Sequence, residues 1–551
     1  MRLALAQINP TVGDLAGNRR RIEEAAVRAA GQGADLVVFP ELALTGYPPM
    51  DLLQREGFVR DQLREVEALR EMSRRVALAV GVVLPVPRSG PRHLANAVML
   101  LAGGRELATR AKTLLPTYDV FDESRYFVPA ECRETVSLPG SDVVLGLTVC
   151  EDTWAGQVGY DLDPVGELVA QGAGLILNLS ASPWHLGKPL ERRQMLAELA
   201  RKHGVPIAFA AQVGGNDELI FDGSSFVVDA RGRVRAALPA FEEALAVIDL
   251  DTPPLDLAPE EVEEPAGAAQ LEAALVLGIR DYYEKQGLPK RAVVGLSGGI
   301  DSAVVAHLAV KALGSGGVLG VLMPGPFSSE HSVRDAVDLA RSLGIETRTV
   351  DILPIYERYL EAFRSLFGPH ESWGLAGQNI QSRTRGAILM ACSNHESRLV
   401  LCTGNKSELS MGYVTLYGDM VGGLAVIGDV YKTDVYALAR HANRDGERIP
   451  RSSIETPPSA ALAPGQRDQD DLPPYEQLDF VLRQLIEEER SGAAVVPPPG
   501  AGPALTRDVE RRVDRNEFKR RQGPLVLRTS TRAFGFGRRL PIVQRYPGAG
   551  V

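Results

Sequence analysis

The fold of the C-terminal half is decided by residues 293–310, which read VVGLSGGIDSAVVAHLAV. The apolar run before Ser297 predicts a buried strand, and the apolar run after Asp301 predicts a helix. Gly298 and Gly299 allow the connecting backbone to approach a ligand closely. The N–H groups of such a turn and the N-terminus of the following helix form an anion site. An SGG turn alone is an ordinary loop, so the strand–turn–helix context carries the prediction of phosphate binding; the GK[ST] ending of a Walker A loop is missing.

Further β–α units follow this stretch and a helix precedes it. The helix pattern is LEAALVLGIRDYYEKQG (271–287), and the later strand patterns are GVLGVLMP (317–324), IETRTVDI (345–352) and RLVLCTGN (398–405). Strands that alternate with helices indicate a doubly wound, Rossmann-like parallel sheet.

The first half also alternates apolar strands with helices. Its strand patterns include RLALAQ, ADLVVFPE, RVALAVGVVLPV, LANAVMLLAG, DVVLGLTVCED, AGLILNLSAS and PIAFAAQVGG, and residues 18–31 predict a helix capped by Asn18. Near-continuous apolar strands indicate sheets buried on at least one face, hence a layered α/β domain.

A change in composition separates the two halves. Prolines and acids cluster in residues 249–270, DLDTPPLDLAPEEVEEPAGAAQ, and the hydrophobic periodicity lapses there. We interpret this stretch as an interdomain linker, with one long surface loop as the alternative. The predicted domains are 1–250 and 270–551, joined by a linker at 251–269.

The totals restrict the class of protein. The 551 residues are 45% hydrophobic and 24% charged, with a formal net charge of -10. Nucleic-acid binders are more often basic, so no nucleic-acid partner is expected. Four cysteines without a CxxC pair argue against a disulfide framework. No apolar run approaches a membrane span, and MRLALAQINPTVGD lacks the core of a secretory signal, so a cytoplasmic location and no membrane partner are expected.

Three reactive side chains follow predicted strands: Glu41, Lys112 and Cys150. A thiol attacks only after a base or a positive field promotes its ionisation, and Glu41 would be that base. Lys112 would stabilise negative charge on a tetrahedral intermediate, and a backbone N–H after Cys150 would add a second donor. Each residue alone is ordinary, because a lone buried cysteine usually packs and a lone charge usually lies in solvent.

The sequences that flank these three residues resemble those of a known superfamily. The blocks FPELALTGYPPMDLL (39–53), KTLLPTYDVFDESRYF (112–127), VCEDTW (149–154) and NLSASPWHLGK (178–188) resemble the signature blocks of the nitrilase, or carbon–nitrogen hydrolase, superfamily, and most of all its glutaminase branch. This resemblance implies a four-layer α-β-β-α sandwich, with Glu41 as proton acceptor, Lys112 as second catalytic residue and Cys150 as nucleophile. It also implies that glutamine is held by Tyr118, Ser182 and Lys188, with Glu123 and Trp154 lining the same pocket. LPTY stands where LPNY is common, and Thr117 is not expected to change the chemistry.

The second half carries its own resemblance. SGGIDS is similar to the loop of the ATP pyrophosphatase (N-type) superfamily. Four further blocks, at 375–390, 401–439, 449–479 and 511–530, resemble NAD synthetases, so the whole chain resembles the glutamine-dependent members of that family. The family positions for ATP match Gly295, Leu296, Ser297, Gly298, Gly299, Ile300, Asp301, Ser302, Thr403 and Lys432.

The same resemblance implies Mg²⁺ at Asp301 and Glu408, as suits hard carboxylate ligands. It implies deamido-NAD at Asn379, Glu408 and Lys519. Plainer readings are that Asn379 caps a helix and that Lys519 is one more charge on a basic helical face. Arg383 and Arg385 are expected to be solvated and are not assigned to the site. Ala461 departs from the glutamate common in its block, so no role is expected of that side chain.

The implied reaction joins the two halves. Cys150 would release ammonia from L-glutamine, ATP would adenylate the nicotinate carboxylate of deamido-NAD, and ammonia would give NAD, AMP and pyrophosphate. A protected passage would keep the ammonia unprotonated. The expected partners are L-glutamine, ATP and deamido-NAD, in a homo-oligomer. Three alternatives stay open: an amidotransferase with another carboxylate acceptor, a nucleic-acid-modifying enzyme, and a non-catalytic assembly protein.

Overall fold

The computed structural model of the protein describes residues 1–87, 93–251, 255–265, 267–369 and 373–546. The chain divides into two compact units, Met1–Pro265 and Ala266–Val551. Within the described residues, no helix is both long and apolar enough to cross a membrane.

The first unit contains fourteen strands and five α-helices among its described residues. The strands are β1 Arg2–Gln7, β2 Leu36–Val38, β3 Ala77–Pro85, β4 Leu94–Ala102, β5 Arg105–Ala111, β6 Val136–Ser137, β7 Val144–Val149, β8 Leu175–Ser180, β9 Ile207–Ala211, β10 Val213–Asn216, β11 Leu219–Asp222, β12 Phe226–Val228, β13 Val234–Ala237 and β14 Ala244–Asp249. The helices are α1 Leu15–Gly31, α2 Phe58–Met72, α3 Ala155–Val158, α4 Pro164–Ala170 and α5 Lys188–His203.

Two six-stranded sheets form the centre of this unit. Their orders are β14-β1-β2-β3-β4-β5 and β13-β12-β9-β8-β7-β6. One apolar core lies between the sheets and contains Leu36 and Val98 from the first sheet and Leu145 and Leu177 from the second. The outer face of the first sheet packs on α1 and α2, and that of the second packs on α4 and α5. The four-layer α-β-β-α sandwich is therefore confirmed.

One predicted helix start is wrong. Helix α1 begins at Leu15, and Asp14 caps it by accepting a hydrogen bond from the Gly17 N–H at 3.0 Å. Asn18 lies inside the helix, where its side-chain amide donates to the carbonyls of Thr11 and Leu44. Both residue types favour helix caps, so the local sequence did not separate them.

The second unit contains six strands and eleven α-helices among its described residues. The strands are β15 Ala292–Leu296, β16 Val318–Leu322, β17 Glu346–Thr349, β18 Leu399–Cys402, β19 Leu424–Ala425 and β20 Leu525–Val526. The helices are α6 Gly267–Lys285, α7 Ile300–Leu313, α8 Glu330–Leu343, α9 Leu353–Phe367, α10 Leu375–Glu396, α11 Lys406–Met411, α12 Lys432–Ala442, α13 Arg451–Glu455, α14 Tyr475–Ile486, α15 Pro503–Arg515 and α16 Glu517–Arg520.

The six strands form one sheet in the order β17-β16-β15-β18-β19-β20. All of its pairings are parallel, and α7 and α10 pack against β15. From β15 the chain runs outward through β16 and β17 and then returns to β18 on the other side. Such a reversal of strand order opens a ligand crevice at the carboxyl ends of the strands, and the Ser297–Gly299 turn lies there. The predicted doubly wound sheet is confirmed.

A close backbone contact in the first unit depends on Gly81 in β3. A Cβ at Gly81 would lie 2.2 Å from the Leu42 backbone nitrogen and 2.6 Å from the Pro40 carbonyl oxygen. Only glycine therefore lets the turn that carries Glu41 pack against this strand.

We expect Gly81→Ala to lower the free energy of unfolding by about 1–3 kcal/mol, because backbone atoms must move to admit the methyl group. Urea unfolding measures this change. Gly31→Ala is the control, since a Cβ at Gly31, at the end of α1, meets no atom within 4 Å. Equal stability of the two variants would contradict the close contact.

Candidate active sites

Three strand ends bring Glu41, Lys112 and Cys150 together in the first unit. Glu41 lies in the turn after β2, Lys112 directly follows β5, and Cys150 directly follows β7. All three side chains are buried. Cys150 has a φ of 41°, a conformation that is uncommon for residues other than glycine and that recurs at functional sites.

The ammonium group of Lys112 lies between two carboxylates. Its Nζ donates to Glu41 Oε1 at 2.8 Å and to Glu123 Oε1 at 2.7 Å. Asn96 donates to Glu41 Oε1 at 2.6 Å, and the Ala181 N–H donates to Glu41 Oε2 at 2.9 Å. Buried charges are tolerated only when they are paired in this way, so these contacts hold the orientation of Glu41.

Electrostatics in this cluster favour a charged lysine. Burial opposes the charge, but Glu123 and Glu41 outweigh it and hold the pKa of Lys112 well above its ordinary value. Burial raises the pKa of Glu123 to about 7, with Glu41 adding to the rise and Lys112 opposing it. Tyr47 also donates to Glu123, at 2.9 Å.

The thiol of Cys150 lies in the same electrostatic environment. Burial and then Glu41 raise its pKa, while Lys112 and a hydrogen bond from Ser180 Oγ to Sγ, at 3.4 Å, oppose the rise. The thiol is therefore protonated at neutral pH, and attack requires transfer of its proton to a base. Asn178 fixes the backbone by donating to the Cys150 carbonyl at 3.2 Å.

The residues assigned to glutamine lie on three different segments. Tyr118 donates to Glu151 Oε1 at 2.9 Å. Lys188 begins α5, and its Nζ lies 4.0 Å from the centre of the Trp154 ring. Ser182 is half-buried, two residues beyond the end of β8. Tyr118 thus contacts Glu151, the residue after Cys150, and Lys188 contacts nearby Trp154. The Glu123 carboxylate instead accepts a hydrogen bond from Lys112.

Sequence reasoning missed Asn96, Tyr47 and Ser180. Asn96 is the only polar residue in the apolar run LANAVMLLAG, and this pattern could have identified it from the sequence. In the structure it is almost fully buried in β4. Tyr47 lies within the block 39–53, but no role was predicted for its side chain. The contact of Ser180 with Cys150 joins residues 30 positions apart and had no local signal.

In the second unit, the Ser297–Gly299 turn is held by its own hydrogen bonds. Ser297 Oγ accepts from the Gly299 N–H at 3.2 Å, and Ser302 Oγ donates to the Gly299 carbonyl at 3.0 Å. Gly298 has a φ of +83°, and a Cβ there would lie 2.1 Å from the Ser332 carbonyl oxygen. The side chains of Leu296 and Ile300 are buried, so these residues present only backbone to a ligand.

Beside this turn, Lys432 is surrounded by acids. Its Nζ pairs with Asp301 Oδ2 and lies 3.6 Å from Glu408 Oε1. Asn405, which caps α11, donates to Asp301 Oδ1 at 2.9 Å. Buried Asp479 accepts from Ser407 at 2.5 Å and from the Thr433 N–H at 2.9 Å, which ties the starts of α11 and α12 together.

Two of these acids, Asp301 and Glu408, have the carboxyl oxygens that would hold a magnesium ion. Burial, and then the charge of Asp301, raise the pKa of Glu408 to about 8, against the opposing charge of Lys432. A cation between two such carboxylates would relieve their repulsion, and Mg²⁺ is commonly held by one or two carboxylates together with phosphate oxygens. Within the described residues, no group of three or more His, Cys, Asp or Glu side chains is arranged to hold a metal.

The remaining predicted ligands lie on three separate segments of the second unit. Thr403 directly follows β18, two residues before Asn405. Asn379 lies inside α10 and accepts from Thr415 Oγ1 at 3.0 Å, so it does not cap the helix. Lys519 Nζ donates to the carbonyls of Gly412 and Val414, so it is not a free surface charge.

The two arginines that were expected to be solvated differ. Arg383 is exposed, as expected. The expectation for Arg385 is wrong, because its side chain is partly buried. Burial lowers the pKa of Arg385 to about 10. Its Nε donates to the Met323 carbonyl at 3.0 Å.

The pKa of Glu123 generates a prediction about stability. A carboxyl whose folded pKa of about 7 exceeds its ordinary 4.5 stabilises the fold below pH 4.5, and this contribution is lost as the pH rises through about 7. The free energy of unfolding of the wild type, minus that of Glu123→Gln, should therefore fall over this range by about 3 kcal/mol. Urea unfolding at several pH values measures it. Glu67→Gln on α2 is the surface control, and a difference curve that stays flat would contradict the buried, raised pKa.

Comparisons with known proteins cover both units. The family model for carbon–nitrogen hydrolases matches residues 2–258, and the model for NAD synthases matches residues 271–523. The chain is 45% identical to the glutamine-dependent NAD(+) synthetase of Synechocystis sp. and 40% identical to that of Thermotoga maritima, with 99% of each chain covered in both cases. It also resembles the solved glutamine-dependent NAD+ synthetase of Acinetobacter baumannii in complex with ADP, with 37% identity, 98% of each chain covered and a TM-score of 0.77. The chain therefore belongs to the family of glutamine-dependent NAD(+) synthetases.

Proposed function

We propose that this protein is a carbon–nitrogen ligase that takes ammonia from L-glutamine and uses it, with ATP, to convert deamido-NAD into NAD. The observation that carries this proposal is the full-length match to glutamine-dependent NAD(+) synthetases, 45% identical across both units. The buried cluster at Cys150 and the turn at Ser297 each provide the chemistry that one half of this reaction needs.

In the first unit, Cys150 is the nucleophile. As its Sγ attacks the glutamine amide carbon, Glu41 accepts the thiol proton and passes it to the departing ammonia. Lys112 stabilises the negative charge on the tetrahedral oxygen, because the two carboxylates keep it protonated and in place. Water then hydrolyses the glutamyl thioester to glutamate. Tyr118, Ser182 and Lys188 hold the glutamine.

In the second unit, the turn and the N-terminus of α7 bind the phosphates of ATP. Thr403 and Lys432 also contact the nucleotide, and Asn379, Glu408 and Lys519 hold deamido-NAD. Asp301 and Glu408 would hold Mg²⁺, which neutralises charge on the departing pyrophosphate when it is bound. The nicotinate carboxylate becomes an adenylate, and ammonia displaces AMP to form the amide.

Two further features belong to the proposal. Ammonium cannot attack a carbonyl, so ammonia released at Cys150 must reach the adenylate before solvent protonates it. The enzyme is also proposed to be a homo-oligomer, which light scattering coupled to size-exclusion chromatography measures.

We expect Cys150→Ala to lower glutamine-driven NAD formation by roughly 10³-fold or more while sparing synthesis from ammonium chloride, because the thiol serves only ammonia release. NAD formation is measured with each nitrogen donor. Cys132→Ala is the control, since Cys132 is exposed. Equal losses with both donors in a folded variant would refute the role of Cys150.

We expect Asp301→Asn to lower NAD formation from both nitrogen donors by roughly 10²-fold or more, because activation of the carboxylate precedes either attack. Pyrophosphate release in the presence of deamido-NAD should fall equally. Asp338→Asn, at an exposed site on α8 that pairs with Arg341, is the matched control. Unchanged pyrophosphate release would remove Asp301 from the site.

A further inference from the structure

The guanidinium of Arg385 lacks a counter-ion among the residues that the structure describes. No carboxylate there lies within ion-pair distance, and its one hydrogen bond is from Nε to the Met323 carbonyl at 3.0 Å. Arginine has five N–H donors, so most of its donors are left for another partner. Partial burial of such a cation is unfavourable without an anion.

The position of Arg385 suggests where that anion binds. Met323 directly follows β16, and Leu322 is in register with Leu296 of β15. Met323 is therefore level with Ser297, the first residue of the phosphate-binding turn. Gly325 leaves room for the guanidinium, since a Cβ at Gly325 would lie 2.9 Å from Arg385 Nη2.

The sheet order places Arg385 and the acidic cluster on different flanks of β15. Strand β16 lies on one side of β15 and β18 on the other. Asn405 and Glu408 follow β18, and Asp301 contacts Asn405. The side chains of the magnesium candidates and of Lys432 thus gather beside Asn405, which follows β18, whereas the Arg385 guanidinium contacts the backbone at the end of β16.

We propose that Arg385 binds the phosphoryl group of ATP that stays with the adenosine and becomes AMP, while the β18 flank holds the pyrophosphate. This inference rests on the proposed adenylation. In that step the carboxylate oxygen of nicotinate forms a bond to the α-phosphorus, and the bond from that phosphorus to the bridging oxygen breaks, with its electron pair leaving on pyrophosphate. The planar guanidinium can hold two oxygens of the α-phosphoryl group through this change and keep them on the adenylate.

The test uses Arg385→Met and Arg385→Lys in the full-length enzyme, with ammonium chloride as nitrogen donor. We expect Arg385→Met to lower kcat/KM for ATP by about ten- to a hundred-fold, as for loss of a charge-assisted hydrogen bond. Arg385→Lys should recover only part of this, because an ammonium group lacks the planar fork. Product inhibition by AMP should weaken by a similar factor, and inhibition by pyrophosphate should not change.

A second variant displaces the guanidinium without removing its charge. Gly325→Ala introduces a Cβ that would lie 2.9 Å from Arg385 Nη2 and 3.0 Å from Ile352 Cδ1, so the guanidinium must shift to admit it. It should reproduce the weaker inhibition by AMP. Arg358→Met on α9 is the control, since Arg358 is exposed and, among the residues that the structure describes, pairs with Glu361 alone.

Several results would overturn the inference. These are an unchanged kcat/KM for ATP in Arg385→Met, a loss confined to kcat/KM for deamido-NAD, or weaker inhibition by pyrophosphate instead of AMP. If Arg385→Met does not fold, as judged by circular dichroism, Arg385→Lys and Gly325→Ala decide the same question. Failure of the proposed function itself would be distinct, because the wild type would then form no NAD from ATP, deamido-NAD and ammonium.

Discussion

The buried ammonium group of Lys112 is the constraint on which the first unit depends. A lone buried charge would be too costly, so the fold must supply partners to it, and it supplies Glu41 and Glu123 at 2.8 and 2.7 Å. These two contacts hold three segments together: the turn after β2, the end of β5 and the segment around Glu123. Cys150 lies in the resulting field, where a protonated thiol and an oriented base are neighbours.

The second unit also buries a lysine, and different residues pair with it. Lys432 is buried at the start of α12 and pairs with Asp301 on α7, with Glu408 of α11 close by. The carboxyl oxygens of Asp301 and Glu408 are ligands that suit a divalent cation and, through it, phosphate. Arg385 supplies positive charge on the opposite flank of β15. The proposed nucleotide would contact both flanks.

Much of this arrangement was readable from local sequence. The alternation of strands and helices predicted the parallel sheet, and the turn at Ser297 predicted an anion site, since glycines and apolar runs act over a few residues. The strand ends before Lys112 and Cys150 were likewise predicted correctly. The start of α1 was not, because Asp14 and Asn18 are both good caps and only the tertiary contacts of Asn18 with Thr11 and Leu44 separate them.

The sequence by itself determined the two α/β architectures, the reactive residue types and the family to which their flanks belong. Only the tertiary structure decided which charges meet: Lys112 with Glu41 across 71 positions, Lys432 with Asp301 across 131, and Arg385 with the end of β16 across 62. The physical reason is that periodicity and turn chemistry are local, whereas ion pairing and desolvation depend on which distant segments pack together. An arginine in a helix therefore looks like a surface charge until the strand end beside it is known.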